Sequence, residues 1–212
     1  MADIAERVIR SDACIEEGAL WLAGRCPEMA RAFRLTAPLP LRLKPEGFEE
    51  LFSAIVSQQV SVASARAIWA RLGAAALTEP HTLASASDEA LRACGLSRQK
   101  IAYARALARA GIDFEALRAL ETDAVIAELV RVKGIGRWTA EIYAKFSLGR
   151  ADAFAAGDLA LQEGARMLYG LDARPSEGAL RRRAEAWRPW RSVAARILWA
   201  YYAYERSREG IA

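Results

Sequence analysis

Two stretches of this 212-residue chain combine residue types that do chemistry. The first runs Leu129-Val-Arg-Val-Lys-Gly-Ile-Gly-Arg-Trp-Thr-Ala140. An apolar helix enters a Gly134-Ile135-Gly136 turn and a second helix leaves it, so backbone N–H groups stand exposed at a helix N-terminus, where a phosphate is favoured. The two glycines permit positive φ and close backbone approach to a ligand, and Lys133, Arg137 and Thr139 are placed to add donors. The second stretch is Ala156-Gly-Asp-Leu-Ala-Leu161. Asp158 stands alone there in a largely apolar segment at the start of a further helix, whose dipole favours the ionised carboxylate. Together the two stretches suggest a grip on DNA beside one carboxylate. The plainer alternatives are a tight helix–helix corner and a simple helix cap.

The elements that must position these groups read as helices. Apolar residues recur at 3.6-residue spacing behind Ser, Thr or Asp starts, and no alternating β-branched run is long enough for a sheet, so the chain reads as all-α. The pattern predicts helices at about 12–24, 27–34, 48–58, 61–73, 87–94, 97–110, 113–120, 122–132, 137–148, 158–169, 176–187 and 191–207. Ser61, Ser87, Ser97, Thr122 and Ser176 are expected N-caps, and Gly95, Gly111 and Gly170 sit where C-terminal glycines belong. Leu35 to Gly47 carries Pro38, Pro40 and Pro45 and is the clearest irregular connection, able to join two halves.

Bulk properties exclude several classes. A chain that is 53% hydrophobic is not disordered, and a net charge of +4 permits a nucleic-acid partner without demanding one. Three widely spaced cysteines, Cys14, Cys26 and Cys94, with one histidine support neither a disulfide framework nor a Cys/His metal site. His81, after Pro80, reads as a surface loop residue. The charged first residues lack the apolar core of a signal peptide, and the apolar run from Val193 to Tyr204 is too short to span a bilayer. A cytoplasmic location is expected.

The block from Val130 to Leu161 resembles the helix-hairpin-helix DNA glycosylase superfamily. Ser53-Ala-Ile-Val-Ser-Gln-Gln-Val-Ser-Val62, Cys94-Gly-Leu-Ser-Arg-Gln-Lys100 and Trp187-Arg-Pro-Trp-Arg-Ser192 are similar to the 3-methyladenine DNA glycosylase II branch, so the resemblance spans about residues 48–204. It implies a single glycosylase domain over 1–212, in which two helical subdomains flank a DNA-binding cleft. The hairpin is expected at about 122–148 and the catalytic loop at about 149–161. It also implies excision of a flipped-out base, with Asp158 as catalytic carboxylate, Trp138 and Trp199 as base-pocket walls, and Gln59 as the wedge filling the vacated gap. The DNA-backbone set is Lys133, Gly134, Gly136, Arg137, Thr139 and Ser61. Trp21, Trp69, Trp187 and Trp190 read as core.

The resemblance further implies alkylated purines as substrate, 3-methyladenine first and 7-methylguanine next. Double-stranded DNA is the partner and a monomer the acting form. No cofactor is required, although an alkali-metal ion on hairpin backbone carbonyls belongs to the family pattern. Strand-cleaving members carry a lysine where this chain has Trp138, so a hydrolase without lyase activity is expected. The cysteine cluster of iron–sulfur members is absent from these residues, and the N-terminal β domain of some members is not expected. A pocket tyrosine of the branch falls at Ile142, with Tyr143 turned about 100° away on a helix. Arg181-Arg182-Arg183, Arg188 and Arg191 are further phosphate candidates, weighed against a solvated helix face. A non-catalytic helix-hairpin-helix DNA- or lesion-binding protein is the alternative function.

Overall fold

The computed structural model describes residues 6–208, so the first residues of the segment read for a signal peptide lie outside it. The described residues form thirteen α-helices and no strand; one isolated antiparallel bridge joins Val8 and Arg150. The helices are α1 (Asp12–Ala23), α2 (Pro27–Thr36), α3 (Phe48–Ser57), α4 (Val62–Ala74), α5 (Pro80–Ser85), α6 (Asp88–Ala93), α7 (Arg98–Arg109), α8 (Phe114–Ala119), α9 (Thr122–Val130), α10 (Arg137–Phe146), α11 (Leu159–Tyr169), α12 (Glu177–Ala184) and α13 (Arg191–Arg208). No helix among the described residues is long and apolar enough to cross a membrane.

The helix starts follow from side-chain chemistry. Ser61, Ser87, Ser97, Asp113, Asp158 and Ser176 each accept a hydrogen bond from the amide three residues on, satisfying a donor that has no acceptor within its helix. Three expectations need correction. Thr122 is the first residue of α9, not its cap, and Glu121 precedes it. His81 lies in the short helix α5 rather than a loop, because Pro80 at the first helical position supplies a preset φ where no N–H is needed. The predicted 176–187 helix tightens into a 3₁₀ turn over Glu185–Trp187.

The chain divides into two compact units, residues 44–143 and residues 1–43 with 144–212, and the boundary falls inside α10. In the first, α3 packs on α4 and α7, while α5 and α6 pack on α7. Phe52 is fully buried and meets Trp69 edge-on at 5.4 Å. In the second, α13 packs against α11, α2 and α1 around Trp187, Trp190, Phe154 and Leu161. A Cβ on Gly164 would lie 2.7 Å from the Leu198 carbonyl, so only glycine lets α11 approach α13 this closely. That contact sets α13 beside the start of α11, where Asp158 stands.

Candidate active site

The hairpin is built from α9, a loop at 131–136, and α10. The Val132 amide donates to the Leu129 carbonyl at 3.1 Å and the Ile135 amide to the Val132 carbonyl at 3.0 Å, so the turn is closed by its own backbone. Gly134 has φ 99°, and any Cβ there would collide with the ring of Tyr103 on α7. Gly136 is different from the expectation: its φ is not positive and nothing lies within 4 Å of the Cβ position. Its value is the bare approach it offers to the first amides of α10. Beside it lies a hollow of about 670 Å³ lined by Ile126, Val130, Ile135, Gly136 and Arg137. Lys133 is exposed; Arg137 is exposed and paired with the buried Glu141 at 2.9 Å. Thr139 is buried and lines a different cavity, away from the expected backbone-contact set.

That second cavity, about 210 Å³, is walled by Trp138, Thr139 and Ile142 of α10 and by Ser53, Ala54 and Ser57 of α3. A water occupies roughly 30 Å³, so the cavity has room for more than a single water. Trp138 is 48% exposed, an unusual position for an indole. Tyr143 reaches the same cavity, but its hydroxyl is committed elsewhere and accepts the Gly47 amide at 2.8 Å. Burial raises the Tyr143 phenol to about 12.

The corner between α3 and α4 is held from two sides. Gln58 Nε2 donates to the Gly134 carbonyl at 3.0 Å, and the Lys100 ammonium donates to the Val56 carbonyl at 2.6 Å. Desolvation lowers the Lys100 pKa. Gln59 itself has φ 57°, a left-handed conformation that costs a non-glycine residue about 1–2 kcal/mol. The exposed Gln59 side chain is thus presented by a strained backbone that its neighbours over-determine. Ser61 is occupied as the α4 cap and also donates to Ser64 Oγ at 2.9 Å.

In the other unit, Asp158 caps α11. Its Oδ1 accepts the Leu161 amide at 3.0 Å and the Trp199 indole N–H at 3.1 Å. The loop leading to it is pinned: Arg191 grips Asp152 through two bonds of 2.8 and 2.9 Å, Arg188 adds a third at 2.7 Å, and Gln162 Nε2 donates to the Ala156 carbonyl at 2.9 Å. Arg191 is buried in this clamp, whereas Arg188 stays half-exposed while it pairs with Asp152. Arg181 pairs with Glu177 at 2.8 Å and Arg183 lies over the Tyr169 ring at 4.4 Å, while Arg182 is exposed on α12. Trp187 and Trp190 are buried, and Trp21 and Trp69 are half-buried, which agrees with core roles. Cys14, Cys26 and Cys94 are free thiols, and no cluster of His, Cys, Asp or Glu able to hold a metal occurs among the described residues.

Residues 52–189 match the family described as HhH-GPD superfamily base excision DNA repair protein. The chain belongs to this superfamily. It is 34% identical over 165 residues to DNA-3-methyladenine glycosylase 1 of Schizosaccharomyces pombe, covering 74% of this chain and 72% of that protein. It is 29% identical over 168 residues to DNA-3-methyladenine glycosylase 2 of Escherichia coli, covering 73% and 57%. A crystal structure of DNA-3-methyladenine glycosidase from Bacillus halodurans superposes with a TM-score of 0.78 at 35% identity, over 97% of this chain and 95% of that one. The S. pombe enzyme in complex with abasic DNA gives 0.75 at 31% identity, over 86% and 95%. The all-α HhH-GPD fold expected from the hairpin and the aspartate loop is thus the fold of this chain.

Three residues that brace the hairpin and the α3–α4 corner were not singled out by the sequence: Gln58, Lys100 and Tyr103 stand at positions whose apolar periodicity gave no signal. Gln58 and Lys100 lie inside two of the motif blocks, which is the one cue that pointed towards them.

Proposed function

We propose that this chain is a monofunctional DNA glycosylase of base excision repair that releases alkylated purines, 3-methyladenine first and 7-methylguanine with it, and leaves an abasic site. The two units work as one glycosylase domain, as a monomer on double-stranded DNA in the cytoplasm. Family membership and the activities named for the similar proteins support the substrate class. The observation that carries the chemistry is the hold on Asp158: two N–H donors converge on one oxygen at a helix N-terminus. Hydrogen bonds to a charged group are worth about 1.5–3 kcal/mol each, so the pair fixes the carboxylate in place.

An anionic Asp158 faces the sugar of the flipped nucleotide. The C1′–N bond breaks and its electron pair leaves with the base, so positive charge develops on the sugar ring, where the carboxylate stabilises it. A water then forms the C1′–O bond and gives up a proton to Asp158. A base alkylated at a ring nitrogen already carries positive charge and needs no separate acid, which accords with a lone carboxylate. Trp138 and Trp199 supply stacking surfaces for that electron-poor ring, and Ile142 completes the wall beside Trp138. Gln59 fills the gap in the duplex.

Lys133, Arg137, the Gly134 and Gly136 backbone and the Ser61 corner take the phosphates; Thr139 joins them only through its backbone. An alkali-metal ion, if bound, would be held by hairpin backbone carbonyls, those of Val132 and Gly134 among them, and would add positive charge beside a phosphate. No other cofactor enters. With Trp138 in place of an amine, no imine forms. The test is incubation with methylated duplex DNA: release of 3-methyladenine, intact abasic strands and no borohydride-trapped protein–DNA adduct support the reading. Lesion binding without release supports a binding protein instead.

A further inference from the structure

The cavity between α3 and α10 carries an ion pair on its lining, Glu50 of α3 with Lys44 at 2.6 Å. The two members are unequally placed: the Glu50 side chain is 17% exposed and that of Lys44 51%. The pair of Glu46 with Arg118 at 2.7 Å is arranged alike, with the carboxylate again the more buried member. Solvent therefore screens both cations more than it screens the carboxylates, and the field left on the protein side is negative. Tyr143, which lines the same cavity, reports that field. Burial is the main cause of its raised phenol, Glu46 and Glu50 push in the same direction, and Arg118 opposes them less. Trp138 brings an indole to the same lining, and an indole face attracts cations as well.

We propose that Glu50 is a specificity-determining residue: its carboxylate on the Trp138 cavity selects damaged bases that carry positive charge over neutral ones, and Lys44 moderates the selection. The inference rests on the cavity walled by Trp138 and Ile142 taking the flipped base, as proposed above. A purine alkylated at a ring nitrogen keeps its positive charge until the glycosidic bond breaks, and here it meets an indole and a carboxylate together. Lys44 stands on a flexible, half-exposed stem and turns towards water as the base enters, because an exposed ion pair of this kind is weak. A unit charge about 8 Å away in a partly buried site changes an equilibrium about tenfold. A neutral lesion such as hypoxanthine or ethenoadenine gains nothing from it. Glu50 thus acts on the charge of the base, whereas Asp158 acts on the sugar.

The experiment measures single-turnover base release by the full chain from duplexes with one 7-methylguanine or one ethenoadenine. Wild type is compared with Glu50→Gln, which removes the negative member of the pair at constant size, and with Lys44→Met, which removes the positive one. Where a lesion is released too slowly to time, the affinity of the Asp158→Asn form for that duplex, with and without each change, supplies the comparison. The expected result is a fall of about tenfold in the ratio of cationic to neutral substrate in Glu50→Gln. Lys44→Met should raise the same ratio, by only about threefold because the ammonium is screened by solvent. Both changes break the same ion pair, so a merely structural pair would move the ratio alike in the two variants. A ratio that does not fall in Glu50→Gln, or that falls in both variants, overturns the inference, while base release by wild type leaves the glycosylase reading standing. Absence of release and of lesion-selective binding by wild type overturns both.

Discussion

At the residue scale the account turns on how a single carboxylate is held. Asp158 Oδ1 takes two donors, one from its own helix and one from α13. The second can be removed without removing the ring. Trp199→Phe should therefore slow single-turnover release of a methylated base by about 10–100-fold, the range for one hydrogen bond to a charged acceptor. Preserved melting temperature would show that the loss is in the chemistry; an unchanged rate would mean that the indole N–H does nothing for Asp158. Gly134 is the other residue where geometry is decisive. Its φ of 99° and the Tyr103 ring against it make Gly134→Ala doubly unfavourable. The expected cost is about 3 kcal/mol or more by denaturant unfolding, reduced but not abolished in a Tyr103→Ala background, because the collision is relieved and the backbone strain is not.

At the element scale, helices hold the site by a few polar ties. Tyr143 on α10 accepts the Gly47 amide ahead of α3 while its phenol is pushed up to about 12. An acid whose folded pKa is raised binds more protons folded than unfolded between about pH 10 and 12, so its contribution is whole below pH 10 and is lost as pH rises through that window. Unfolding free energy should fall by about 2–3 kcal/mol across it, and Tyr143→Phe should flatten the fall; an equally steep fall in the variant would assign it to other groups. The helices themselves were legible because caps and 3.6-residue spacing agree along most of the chain, as at Ser61, Ser97 and Asp158. Helix α5 was not, because six residues opening on Pro80 carry too little periodicity to distinguish a turn from a helix. Lys145, Lys100 and Asp152 were illegible for another reason: a polar residue in a core is recognised by what surrounds it, and spacing registers only the apolar positions.

At the scale of the whole molecule, a net charge of +4 is small for a DNA-binding chain. Many arginines are spent internally: Arg191 and Arg188 on Asp152, Arg181 on Glu177, Arg196 on backbone and Ser192. Other cations stay exposed, and the hairpin's Lys133 is one of them. Each phosphate contact contributes about −0.9 to the slope of log K against log salt concentration, so Lys133→Gln should reduce that slope by about one. An unchanged slope would remove Lys133 from the interface. The late motif Trp187 to Ser192 shows what spacing does not reveal: Arg191 is buried against Asp152, which lies 39 residues earlier in the chain.

The most direct measurement compares wild type and Asp158→Asn on one duplex containing a single methylated purine, with duplex affinity and base-release rate determined on the same preparations. The account predicts that the amide variant keeps its affinity within a few-fold and loses release by at least about a hundredfold, the scale on which removal of one preorganised electrostatic group acts. Base release by Asp158→Asn at the wild-type rate would contradict it.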